Sequence, residues 1–172
     1  MSKIIRNESI VDDAWQVLKL AEGESAETVA LPGTPTLLPL AAWLARKAEI
    51  LAGQSATGLW LDSHEGAEAI AGDLAHFSVI AINFPKFTDG RGYSIARLLR
   101  ERYGFKGEIR AIGDVLQDQL FPMKRVGFNA YALPEGKNLD KALASLRVFS
   151  ETYQAAVDQP QPLFRRRVSA QA

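Results

Sequence analysis

From Gly58 onward, short apolar runs alternate with segments whose apolar residues recur every three or four positions. Gly58-Leu59-Trp60-Leu61 and Ser78-Val79-Ile80-Ala81-Ile82 have the length and β-branched content of buried strands, as do residues 108–112 and 128–133. Between them the spacing predicts helices over residues 63–75 with Ser63 as N-cap, 94–103 stopped by Gly104, and 115–126 stopped by Gly127. The most regular pattern runs from 139 to 157, with Leu139, Leu143, Leu146, Phe149 and Tyr153 three and four apart. Strand followed by helix, four times at intervals of roughly 25 residues, is the pattern of right-handed βαβ crossovers. It predicts an α/β fold: a mainly parallel sheet of at least four strands with flanking helices, either an open sheet or a partial barrel. No residue pattern is shared among the units, so the alternation is not an internal repeat.

Before Gly58 the pattern is less regular. Ile4-Ile5, residues 15–20 and residues 28–31 are short β-type pieces between acidic turns. Residues 38–51 read as a helix with Leu40, Leu44 and Leu51 near one face, Trp43 beside them and Gly53 as its stop. The uncharged run 28–45 holds Pro32, Gly33, Pro35 and Pro39, and its apolar part is half a membrane span, so it reads as a loop leading into that helix. Residues 1–13 are mostly polar and lack the apolar stretch of a secretory signal, which makes a cytoplasmic location the expectation. The 172 residues fit one α/β domain over 1–158, with an arm of short strands at 1–35, strand-helix units at 58–157 and a basic tail at 159–172. That tail, with Arg165-Arg166-Arg167, reads as an arm that frays or packs on a neighbour, and a homodimer is compatible with it.

A composition of 47% hydrophobic and 23% charged residues is that of a globular protein. The lack of cysteine excludes a disulfide framework, a thiolate zinc site, a cysteine-ligated cluster and a cysteine nucleophile. His64 and His76, without a matching carboxylate pattern, make no metal motif. Basic and acidic side chains balance at 20 each, but residues 1–85 carry five and eleven, 86–125 nine and five, and 126–172 six and four. The basic middle is too weak for a nucleic-acid footprint but suits a small oxyanion or an acidic partner. Solvated helix faces explain the same distribution.

In an open parallel sheet, ligands bind outside the carboxyl ends of the strands. The candidates are therefore Asp62 and His64, then Asn83, Lys86, Asp89 and Arg91, then Gly113, Asp114 and Gln117, then Pro134 and Glu135. In the loop 83–94, Gly90 and Gly92 bracket Arg91 just before a helix start, with Tyr93 and Ser94 following. Backbone N–H groups, the helix dipole and the charges of Lys86 and Arg91 would all favour an oxyanion there. The loop lacks the ending of a phosphate loop and the dinucleotide fingerprint, and it reads equally as a turn in which Asp89 pairs with Arg91. Asp114 and Asp89 are candidate bases; Asp114 also suits the N-cap of the next helix, with Gln119 one turn on. His64 is a rim base or a surface residue, and His76 reads as a helix C-terminal cap. Trp15, Trp43 and Trp60 read as core or interface residues.

The stretches Phe87-Thr88-Asp89-Gly90-Arg91-Gly92-Tyr93-Ser94, Gly104-Phe105-Lys106-Gly107-Glu108-Ile109-Arg110-Ala111-Ile112-Gly113-Asp114-Val115-Leu116 and Asp118-Gln119-Leu120 resemble a bacterial family of unknown function, number nine-three-four. Its members are described as probable oxidoreductases involved in sulfite reduction. The match spans about residues 84–131, with Gln117 where an arginine is expected and Asn129 where an aspartate is expected. The resemblance implies a place in assimilatory sulfur metabolism and cysteine biosynthesis, with the haem-containing sulfite reductase subunit as partner. Six-electron reduction is carried by cofactors, and no flavin, nicotinamide or cluster motif is evident. The expectation is an accessory protein that binds an oxyanion, the sulfite reductase haemoprotein or both, through Lys86, Asp89, Gly90, Arg91, Gly92, Tyr93, Ser94 and Gln119. The alternative is a stand-alone enzyme acting on a small anionic substrate at the carboxyl edge of the sheet, with Asp114 or Asp89 as base and Arg91 and Lys86 as an anion clamp.

Overall fold

The computed structural model describes residues 2–53 and 56–169, and their strands form one eight-stranded sheet. β1 (Lys3–Arg6), β2 (Ser9–Asp12), β3 (Gln16–Val17), β4 (Thr36–Pro39), β5 (Thr57–Leu61), β6 (Val79–Phe84), β7 (Glu108–Gly113) and β8 (Ala130–Tyr131) lie in the order β2-β1-β8-β7-β6-β5-β4-β3. The pairs from β3 through β8 are parallel, and the two made by β1 are antiparallel. The mainly parallel α/β architecture is thus present, over more strands than the pattern required.

From β3 to β8 each strand lies beside its predecessor, always on the same side. Right-handed crossovers repeated in one direction place every connection on one face of the sheet. On that face α1 (Leu40–Ala52) packs against β4 and β5, and α2 (Arg91–Glu101) against β6. The core is the layer between, where Leu59, Leu61, Ile80, Ile82 and Ile109 meet Trp43, Ile95, Leu99 and Met123. Each such side chain contributes roughly 1.5–3 kcal/mol on burial.

The opposite face is shaped by the chain between the two sheet edges. β2 is one edge and β3 the other, yet only Asp13, Ala14 and Trp15 join them. Four Cα steps reach about 14 Å at most. Eight flat strands at about 4.8 Å spacing would hold the edges about 34 Å apart. The sheet is therefore curled into a partial barrel, and the three-residue strap runs through its concave side. Trp15 lies on Gly58, where a Cβ would come within 2.9 Å of its ring, and packs with Leu37, Val79, Ala81 and Ile112 in a second small core. Asp13 holds the Arg110 guanidinium through both carboxylate oxygens at 2.9 and 3.0 Å. Glu108 accepts from Arg110 Nε at 2.7 Å, and Arg110 is only 1% exposed.

Several predicted elements are corrected by these contacts. Thr36–Pro39, expected to be loop and helix, is the strand β4, because Leu37 and Leu38 can be buried between β3 and β5 and the proline falls at its end. Residues 28–31 form no strand, and residues 15–20 contribute only β3. The buried face of α1 carries Leu40, Trp43 and Ile50, whereas Leu44 and Leu51 are exposed. Residues 63–75 form two 3₁₀ turns, Ala67–Ile70 and Leu74–His76, instead of one helix, since Gly66 and Gly72 each cost about 1 kcal/mol in a helix interior. Ser63 is no helix cap. The third unit is a 3₁₀ turn, Gln117–Gln119, leading into α3 (Leu120–Arg125), and Gly127 follows at φ +110°.

The helix expected over 139–157 ends early. Asn138 caps α4 (Leu139–Ser145) through its side chain, Ala142 and Leu146 are buried, and then the chain turns away. Phe149 and Tyr153 remain mostly exposed, and an amphipathic face with nothing to cover it does not sustain a helix. Over its described part the basic tail packs on its own chain: α5 (Leu163–Ser169) folds back, Leu163 N–H bonding Tyr153 O and Arg166 pairing with Glu151. Residues 170–172 of that tail lie outside the described residues. Among the described residues no helix is long and apolar enough to cross a membrane.

Candidate functional site

The carboxyl ends of β5, β6 and β7 bring two networks onto one rim. Asp62 Oδ1 accepts from Asn83 Nδ2 at 3.0 Å and from Ser63 N at 2.8 Å. His64 lies beside it, with Nδ1 3.6 Å from Asp62 Oδ2, and is mostly exposed. Asp89 receives Arg91 Nε at 3.0 Å and Nη2 at 2.7 Å, and Arg91 Nη2 also donates to Ser63 Oγ at 2.8 Å. The turn reading of this loop, in which Asp89 pairs with Arg91, is thus the geometry observed. The Arg91 guanidinium, helped by Ser63, holds the Asp89 carboxyl far below the usual carboxylate range, which leaves it no tendency to take up a proton near neutrality.

The glycines have a packing role. α2 begins at Arg91, three residues earlier than the spacing predicts, so Gly90 is its N-cap and Gly92 lies in its first turn. A Cβ at Gly92 would come within 2.6 Å of the Phe84 ring, so glycine is what lets the helix close onto β6. Tyr93 crosses the same ring edge-on at 5.7 Å and its hydroxyl is pushed up by burial, while Ser94 and Lys86 stand exposed.

The second network clamps a loop. Asp114 Oδ2 accepts from Phe87 N–H at 3.0 Å, and Gln119 Nε2 donates to Phe87 O at 2.7 Å. Gln119 Oε1 accepts from Leu116 N–H, and Asp114 N–H bonds Phe84 O. Asp114 is therefore not a helix cap: with Gln119 it reaches across from the next βα unit and holds both backbone groups of Phe87. Phe87 itself is 52% exposed. Gln117 is exposed beside this clamp, whereas Pro134 and Glu135 line a separate cleft with Ser2 and Lys3. The arrangement holds the backbone of Phe87 from both sides and leaves its side chain at the surface of the rim. Of the tryptophans, Trp43 is core, donating its indole N–H to Asp73 at 2.8 Å, and Trp15 and Trp60 line the concave side.

Two charged centres escaped the sequence pattern. Arg110 is one; its signal is a charged residue alternating inside an apolar strand, which requires an interior partner. The other lies at the opposite, amino-terminal edge of β8, where a cleft of about 520 Å³ is bounded by the β1–β2 turn, α2, α3 and the chain after α4. Arg100 sits in its wall and donates to Gly127 O, Phe105 O, Gly107 O and Asn129 Oδ1 at 2.7–3.2 Å, all neutral acceptors. Lys124 and Arg147 instead meet the Glu8 carboxylate at 2.5 and 2.9 Å. Their hydrogen bonds, Lys124 first, hold the Glu8 carboxyl below its usual value. Asn7 and Glu8 form the two-residue hairpin turn at φ +47° and +58°. Such a turn favours glycine at its second position, so Glu8 stores roughly 1–2 kcal/mol of strain to hold its carboxylate there. An asparagine between Ile5 and Ile10 was the available signal.

Residues 58–164 match the model of a family described as bacterial protein of unknown function (DUF934). No curated protein and no solved structure matches the chain. The matched span carries the rim from β5 to α3 and most of the cleft wall, while the strap and β1–β4 precede it.

Proposed function

The chain belongs to this family of bacterial proteins of unknown function, and we propose on that footing that it is an accessory binding protein of assimilatory sulfite reduction. It docks on the sulfite reductase haemoprotein through the rim formed by Lys86, Phe87 and the start of α2. The observation that carries the docking role is Phe87, an exposed ring whose backbone N–H and C=O are both held by side chains of the next unit. Exposed aromatic side chains are the anchors of protein interfaces, and a ring fixed beforehand loses little entropy on binding. Asp89 supports a binding role over catalysis, because its proton-accepting capacity is spent on Arg91. The sulfur pathway itself rests on the resemblance of residues 87–94, 104–116 and 118–120, which include the loops of this rim.

The test is binding of the purified haemoprotein to the immobilised full-length chain. Phe87→Ala is expected to weaken binding by about thirtyfold, the loss of a hot-spot anchor, with the melting temperature unchanged. Gln119→Ala, which frees the Phe87 carbonyl, is expected to weaken it several-fold. If the wild-type chain does not bind, the partner is wrong; if Phe87→Ala binds like wild type, the rim is wrong.

A further inference from the structure

We propose that the cleft beneath the β1–β2 turn binds a small organic anion, one with a compact oxyanion head and an apolar body, and that the Glu8 carboxylate holds the place of that head on Lys124 and Arg147. This site lies at the edge of the sheet opposite the docking rim and does not depend on it. Two cations converge on one carboxylate, at 2.5 Å from Lys124 and 2.9 Å from Arg147, which is the arrangement a ligand oxyanion requires. Behind them the wall is mixed, with the apolar Val157 and the edges of the buried Phe128, Tyr131 and Leu146 beside Asn129 and Asp158, and the volume of about 520 Å³ is that of a small-molecule site. A bare inorganic ion would leave most of it unfilled.

The backbone identifies Glu8 as a displaceable occupant. Its left-handed φ of +58° is unfavourable for any residue with a Cβ, and the ion pair returns little, since the Arg147 side chain is 70% exposed and that of Lys124 29%. A contact that only joined two elements would not need a strained residue for so weak a return. An incoming anion exchanges one carboxylate partner for another and releases the turn. Arg100, whose described hydrogen bonds all go to neutral oxygens, leaves an additional positive charge in the wall, while Asp158, the other carboxylate there, is paired with Arg125.

The experiment is calorimetric titration of the full-length chain with phenyl phosphate as the organic anion and inorganic phosphate as the head alone. Phenyl phosphate is expected to bind, and inorganic phosphate to bind at least about tenfold more weakly. Glu8→Gly, which removes the internal competitor and suits the turn, is expected to tighten phenyl phosphate binding about tenfold. Lys124→Gln is expected to weaken it by a similar factor, with a thermal melt confirming the fold. No binding to either wild type or Glu8→Gly at 10 mM (about the weakest affinity a small-molecule site can usefully have) overturns the proposal. So does equal binding of the two phosphates, or an unchanged or weaker affinity in Glu8→Gly. Because the titration needs no partner protein, its failure and a failure of the docking assay are separate results.

Discussion

Replacing Asp13 with alanine tests how much the buried ion pair on the strap stabilises the curled sheet. The Asp13 carboxylate makes two charge-assisted hydrogen bonds to Arg110, and the side chains are 9% and 1% exposed. Removing one partner of a buried pair typically costs about 3–5 kcal/mol, because the other charge stays desolvated. Glu108 still accepts from Arg110 Nε, so the low end applies, about 3 kcal/mol. For a chain of this size that lowers the melting temperature by about 6–12 °C. Arg110→Met strands two carboxylates, and the Asp13→Ala/Arg110→Met double variant should be destabilised by at least about 1 kcal/mol less than the sum of the single changes. Urea unfolding followed by tryptophan fluorescence measures all three, and Trp15, on the strap, reports the local release. A loss below about 0.5 kcal/mol for Asp13→Ala, or strict additivity in the double variant, refutes the argument that this contact stabilises the curled sheet.

Gly92→Ala should destabilise the fold by about 1–3 kcal/mol through collision with the Phe84 ring; a stable Gly92→Ala chain in thermal melts would show instead that the glycine is not there for packing. Glu8, Asp73 and Asp89 are held below their ordinary values by Lys124, by Lys47 with Trp43, and by Arg91. A lowered folded-state pKa adds stability that is complete above the unfolded-state value and is lost as pH falls through the folded one. The melting temperature should therefore be flat between about pH 7 and 5 and decline steadily below about pH 4, and a rise on acidification would contradict these assignments.

Alternation from Gly58 onward was enough to predict parallel βα units, and the strand positions of Leu59, Leu61, Val79, Ile80, Ile109, Ala111 and Tyr131 follow from it. These are local facts: each apolar run is long enough to be buried, and each is punctuated by a turn such as that at Gly104, φ +67°. The rim loop was legible for the same reason, since topology alone places residues after parallel strands on one edge. What those residues do there was not legible. Gly92 serves ring packing, Arg91 is satisfied by Asp89 and Ser63, and Asp114 clamps Phe87, because each role depends on a partner more than twenty residues away or on a helix start displaced by one turn. Helix length in the last unit depended on whether Phe149 and Tyr153 found a surface to cover. Proline blurred β4 in the sequence, where burial of Leu37 and Leu38 between two strands outweighs its local preference. The curl of the sheet is the clearest case. Residues 12–14 read as an acidic turn before a β-type piece, and only the placement of β2 and β3 at opposite edges of the sheet turns three residues into a strap that must bend eight strands toward each other.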